Sequence, residues 1–253
     1  MSKVKIKIIF LGYIPHLIDI EKVKKWKSDL FEVIQPVNSV AIVGDSDGAC
    51  WEFLDKNIEE QLPLRSEPDI LLAVTNVPLQ DNYYVRSFSD NRVCMTYNNM
   101  TEILKSENIP LENLLLLVLY LVALGYRHYG NKIPLMFELT QLGHDETRGC
   151  VFDMNGIKSD VIYSLNEPQL CHSCVERLTT KPKYKIEKDL IDKVQKELRK
   201  INKGQYYRIS DFVKRRPILS ILLSVLSAII IGILASIIAN IICGLLSTGH
   251  NIT

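Results

Sequence analysis

From Ile218 to Leu246 the chain reads "ILSILLSVLSAIIIGILASIIANIICGLL", twenty-nine residues without one charged side chain. About twenty such residues in an α-helix already cross a hydrocarbon core of ~30 Å. The run predicts a transmembrane helix over residues 217–246, and what precedes it must fold as a water-facing head tethered to one side of a bilayer. Pro217 stands at the first turn of that helix, where a missing N–H costs little. Lys214, Arg215 and Arg216 come just before it. Cations that flank a span are kept on the cytoplasmic side. The expected topology is therefore single-pass, in a cell inner membrane, with the N-terminal head in the cytoplasm and residues 247–253 as a short tail beyond.

Small or polar residues recur in this span every four positions: Ser220, Ser224, Ala228, Gly232, Ser236, Asn240 and Gly244. Four residues are slightly more than one turn, so the seven make a slowly rotating stripe while Ile and Leu cover the rest. Helices in lipid associate through close backbone approach at small residues and hydrogen bonds from polar ones. The stripe is expected to be a helix–helix packing face that makes the chain a homo-oligomer. The bland alternative is that Ser, Gly and Ala are simply common in membrane helices. Asn240 favours the first reading, because an amide inside an apolar span wants a partner.

A formal net charge of +1 conceals a split. Residues 1–180 carry 17 Lys and Arg against 24 Asp and Glu, residues 181–216 carry 13 against 5, and nothing from 217 onward is charged. The expected organisation is an acidic head (1–180), a basic neck (181–216), the span (217–246) and the tail (247–253). In the neck, "IEKDLIDKVQKELRKINKG" from Ile186 places Leu190, Ile191, Val194, Leu198 and Ile201 on one helical face, with Gly204 as a stop. That amphipathic helix has three destinations: the head, a second copy, or an anionic leaflet. No nucleic acid is expected as a partner.

The head reads as α+β. A strand is expected at Lys3–Phe10, a helix from about Asp19 to Ile34 and a second strand at Ser39–Val43, followed by the turn "GDSDG". Asp45 and Asp47 resemble the start of a calcium loop, but its closing Glu falls on Lys56, so a plain turn is expected. "DILLAVTNV" (69–77) is a strand, and "NYYVRSFS" with "NRVCMTYN" make a hairpin around Asp90 and Asn91. A helix is expected around Leu111–Tyr126; its run "LLLLVLYLVAL" (114–124) is apolar all round and too short to span, so it should be the central buried helix.

The chain has six cysteines: Cys50, Cys94, Cys150, Cys171, Cys174 and Cys243. The apolar stretch near the start follows Lys3, Lys5 and Lys7 and reads as a strand rather than a cleavable leader, so a reducing compartment is expected. "HDETRGC" (144–150) and "CHSC" (171–174) space His144, Cys150, Cys171 and Cys174 as the two knuckles of a four-ligand zinc site. Thiolate and imidazole are the borderline-soft donors that Zn²⁺ takes in a closed tetrahedron, so a structural zinc is expected. His172 and Asp145 remain alternatives for the fourth ligand. Dithiol redox chemistry at the CxxC and inert buried thiols are the competing readings.

In the order of its elements the chain resembles the archaemetzincin-type zincin peptidases over residues 1–178. Strand, helix, "DILLAVTNV", the hairpin and a long buried helix are followed by His144-x5-Cys150-Val151 and Cys171-x2-Cys174. In that family the third catalytic His begins a His-Cys-x4-Cys-Val segment, whose cysteines hold a structural zinc together with a later Cys-x2-Cys. The resemblance implies a zincin-like fold and a retained structural metal. The family's His-Glu-x2-His is missing here, since no two of His16, His128, His144, His172 and His250 are four apart. The helix that should carry it is the apolar 114–124 run, and Asp145 stands where the family has its first structural Cys. Glu138 and Glu146, near the motif, can be nominated as general bases, and each is more simply read as a surface residue.

Taken together the sequence leads one to expect a pseudoenzyme head that controls clustering of its membrane helix. The layout is similar to membrane-disrupting effectors of prokaryotic antiviral defence, with an upstream sensor protein as a further partner. A membrane-tethered metallopeptidase or thiol redox enzyme is the alternative.

Overall fold

The computed structural model describes residues 2–14, 18–64, 68–135, 142–180, 184–201 and 205–248. They fall into two compact units, Met1–Lys203 and Gly204–Thr253. In chain order the first unit contains β1 (Val4–Leu11), α1 (Ile20–Lys24), β2 (Phe31–Val40), α2 (Asp55–Gln61), β3 (Ile70–Thr75), β4 (Val85–Phe88), β5 (Arg92–Thr96), α3 (Met100–Ser106), α4 (Leu111–His128), α5 (Val161–Asn166), α6 (His172–Thr180) and α7 (Lys188–Leu198). The second unit holds α8 (Gln205–Arg215) and α9 (Pro217–Thr248).

The five strands form one mixed sheet in the order β2-β1-β3-β5-β4. Only the edge pair β4–β5 is antiparallel. β3 lies at the centre and is buried at all six positions, as its unbroken apolar run "ILLAVT" requires of a strand covered on both faces. Successive side chains point to opposite faces, which divides the core in two. Val4, Ile6, Ile8, Leu72, Val74 and Met95 face a large cluster built on α4. Ile9, Leu11, Leu71, Ala73 and Cys94 face a smaller one closed by Ile58 of α2 and by Leu62 just beyond its end.

The hairpin turns where expected: Asp90 and Asn91 adopt left-handed φ of 57° and 55°, a region that short polar side chains tolerate. α4 extends the expected helix to His128 and is buried along almost its whole length. Tyr120 meets Phe31 of β2 edge-to-face at 5.0 Å.

The helix expected over 19–34 is not formed. Helix ends after five residues at Lys24, and Phe31–Val40 pairs in parallel with β1 instead. Val33, Ile34 and Val37 are β-branched, and Pro36 is tolerated because β2 is an edge strand with a register shift opposite Lys7 and Ile9.

The amphipathic neck helix belongs to the first unit. Ile191, Val194, Leu198 and Ile201 are all at most 1% exposed, within the same cluster as α4. Glu197 of α7 is also buried: its carboxylate accepts from Ser28 Oγ at 2.7 Å, the Asp29 N–H at 2.8 Å and Tyr120 Oη at 2.6 Å. The unit boundary thus falls at Lys203, beyond the expected one at residue 180. The reason is that the apolar face of α7 completes the core. The expected stop at Gly204 lies outside the described residues.

Among the described residues two helices are long and apolar enough to cross a membrane. α4 has 89% of its apolar window buried in the first unit, whereas Pro217–Asn240 of α9 has none. A helix apolar on every side needs either a protein interior or lipid around it. α9 has the composition of a membrane span.

Candidate metal centre

Two backbone knuckles bring the cluster together. The first is the loop 144–153, whose ends pair: the His144 N–H donates to the Phe152 carbonyl at 3.3 Å, and the Met154 N–H to the His144 carbonyl at 3.1 Å. Asp153 shapes the turn from within. Its Oδ2 accepts from the backbone N–H of Arg148 at 3.0 Å, the N–H of Cys150 at 2.9 Å and Ser164 Oγ at 3.0 Å. The second knuckle is the start of α6, with Cys171 just before the helix and Cys174 in its first turn. Gln195 of α7 holds the approach to it, accepting from the Leu170 N–H at 2.7 Å and donating to the Leu170 carbonyl at 3.1 Å. The knuckles are tied where the Val151 N–H donates to the Gln169 carbonyl at 2.9 Å.

The result is a compact donor set. One ligand atom from each of His144, Cys150, Cys171 and Cys174 lies within 4.8 Å of all the others. Cys171 Sγ and His144 Nε2 are 3.6 Å apart. In a zinc tetrahedron with Zn–S of ~2.3 Å and Zn–N of ~2.0–2.1 Å the edges come to roughly 3.5–3.8 Å, so the four donors stand close to the required spacing. They sit close enough to bind a metal ion, and their chemistry is compatible with zinc. Cys150 and Cys174 are fully buried, and the His144 side chain is 8% exposed. Asp145 and His172, the alternative fourth ligands, are exposed and stand outside the group, as does Glu146. Glu138 lies outside the described residues.

The surroundings orient the donors. His144 Nδ1 lies 3.0 Å from the Glu146 carbonyl, the geometry of a donated N–H, which leaves Nε2 with its lone pair toward the sulfurs. Asp153 Oδ1 is 3.1 Å from the same Nδ1 but too poorly aligned to count as a hydrogen bond. A carboxylate behind a ligating imidazole fixes the ring and raises its basicity. The Cys171 N–H points at Cys150 Sγ from 3.4 Å, as backbone amides do toward a thiolate.

Protonation follows from this packing. The hydrogen bond from Cys174 brings the Cys150 thiol down to about 5. The same bond, with burial, pushes Cys174 up, so one negative charge is shared between two sulfurs. Burial raises Cys171, but the Ser173 hydroxyl and the Cys174 backbone N–H outweigh it and the net direction is down. Burial lowers His144, and the bond to Cys150 and the Glu146 carbonyl turn the net direction upward. Anionic sulfur facing a basic imidazole is a site that holds protons where a cation could replace them.

The remaining sequence-derived positions lie in the second unit. Ser220, Ser224, Ala228, Gly232, Ser236, Asn240 and Gly244 all fall within α9, and Lys214, Arg215 and Arg216 precede it. Sequence reasoning missed Asp153, Gln195 and Glu197. For Asp153 the one available signal is its place three residues after Cys150, the reach of a side chain that caps its own turn. Compared with family models, curated proteins and solved structures, the chain matches none.

Proposed function

We propose that this is a tail-anchored, non-enzymatic membrane protein whose zinc-stapled cytoplasmic head controls how its membrane helix associates with copies of itself. The observation that carries this is the gathering of His144, Cys150, Cys171 and Cys174 within 4.8 Å of one another: four protein donors would fill the coordination shell of a zinc ion and leave no position for a reacting water. With zinc bound, the metal would clamp the loop 144–153 to the start of α6, and Asp153 and Gln195 would hold the two knuckles in register. The helix that would carry a catalytic pair in the zincin peptidases is α4, whose Leu114–Tyr120 and Val122–Tyr126 are core. A head without a catalytic set acts through what it is joined to, and here that is α9. The span runs once through a cell inner membrane, with Lys214, Arg215 and Arg216 on the cytoplasmic side, and the stripe from Ser220 to Gly244 packs against other copies. The biological reading is a membrane-disrupting effector of prokaryotic antiviral defence, with an upstream sensor protein as a further partner. That role rests on analogy of layout.

The test is enzymatic. The purified full-length chain, carrying one zinc, is assayed for hydrolysis of a peptide library and for disulfide exchange with a model dithiol. Neither should exceed the rate measured without the protein, and turnover of either substrate at an enzyme's pace overturns the proposal.

A further inference from the structure

We propose that the junction of α8 and α9 is a binding site for an anionic phospholipid, and that α8 lies in the headgroup layer. The proposal rests on α9 being a membrane span and adds a ligand to that reading. Ile209, Phe212 and Val213 sit at i, i+3 and i+4 on one side of α8 and are 64%, 38% and 45% exposed. Lys214 and Arg215 follow them directly, and Arg216 completes a run of three cations. An apolar face with cations beside it, leading directly into an apolar span, is the composition of a helix embedded at the boundary of acyl chains and headgroups.

The junction itself is concave. A shallow hollow of about 400 Å³ is lined by Arg215, Arg216, Pro217, Ile218, Leu219 and Leu222. One end presents two guanidinium side chains, whose planar forks suit phosphate oxygens. The other end is a wall of Ile218, Leu219 and Leu222, all exposed, continuing along α9. Charge at one end and hydrocarbon at the other is the outline of a phospholipid, with the phosphate on the arginines and an acyl chain along the leucines. Helical hydrogen bonds bridge the junction, from the Arg216 N–H to the Phe212 carbonyl at 2.9 Å and from the Ser220 N–H to the Arg216 carbonyl at 3.0 Å. They keep Phe212 close to the arginines, so both report one lipid layer. Inorganic phosphate would meet the charges but gain nothing from the wall.

The experiment places a fluorophore at the site in the full-length chain. A Phe212→Trp variant is reconstituted into bilayers of brominated phosphatidylcholine mixed with unlabelled phosphatidylglycerol, with the unsubstituted chain giving the background of Trp26 and Trp51. The expected result is quenching that phosphatidylglycerol relieves with at least about a fivefold preference, the order expected from one surface cation. Adding Arg215→Gln and Arg216→Gln should bring the preference to about one, and inorganic phosphate should leave it unchanged. An unquenched indole, equal affinity for both lipids, or loss of the preference on adding phosphate overturns the proposal. Ile230→Trp, in mid-span, separates the two readings: it should be quenched with no lipid preference, and if it is not quenched the span itself falls and this site with it.

Discussion

Asp153 shows how one buried side chain governs the candidate metal centre. Three donors converge on Oδ2, so the residue sets the shape of the first knuckle, and Oδ1 places negative charge 3.1 Å from His144 Nδ1. Asp153→Asn turns an acceptor-only group into one that is half donor, and zinc affinity should fall by about 10- to 100-fold, measured by competition with a chromophoric chelator. Unchanged affinity would mean that the backbone alone shapes the loop. Cys171→Ser removes one of the four candidate ligands and should cost the head its fold, read as loss of cooperative thermal unfolding in the purified chain. The thiols also offer a sequence of events. With zinc bound all three should resist iodoacetamide; after chelation Cys171, the half-buried one with a lowered pKa, should alkylate before the fully buried Cys150 and Cys174. Mass spectrometry of timed digests distinguishes that order from simultaneous reaction.

Elements differ in how much of themselves they show in sequence. β3 and α4 are legible because each is apolar beyond what a surface position tolerates, and the β4–β5 hairpin because Asp90 and Asn91 suit its left-handed turn. Residues 19–34 are not legible: their apolar spacing fits a helix, and what decides for strand is pairing with β1, a contact between distant residues that periodicity does not contain. α7 is visible as an amphipathic helix, but its destination is set by Glu197 meeting Ser28, Asp29 and Tyr120. Glu197→Ala leaves those buried donors without their acceptor and should destabilise the head by on the order of 3 kcal/mol in chemical denaturation. A cost near zero would detach α7 from the core. For α9, Gly232→Leu places a bulky side chain where close backbone approach is expected, and the oligomer seen by crosslinking in detergent should shift toward monomer. An unchanged distribution counts against the stripe.

At the scale of the whole molecule, the spacing of His144, Cys150, Cys171 and Cys174 anticipates a cluster that the fold brings within 4.8 Å, because each pair of donors sits on one short turn and such local motifs survive in sequence. The carboxylate and amide that hold those knuckles come from elsewhere in the chain or from its turns, and only the folded structure collects them. The two units divide the labour. The first closes a core and a candidate metal site, and the second carries a 24-residue, predominantly apolar stretch, Pro217–Asn240, that is unburied among the described residues. Dye release from sealed anionic vesicles measures whether that second unit is where the protein acts. The full-length chain should empty them, and a chain ending at Arg216 should leave them intact. Vesicles that stay sealed with the full-length chain, or that leak equally with the shortened one, would contradict an account in which the membrane helix is the working part.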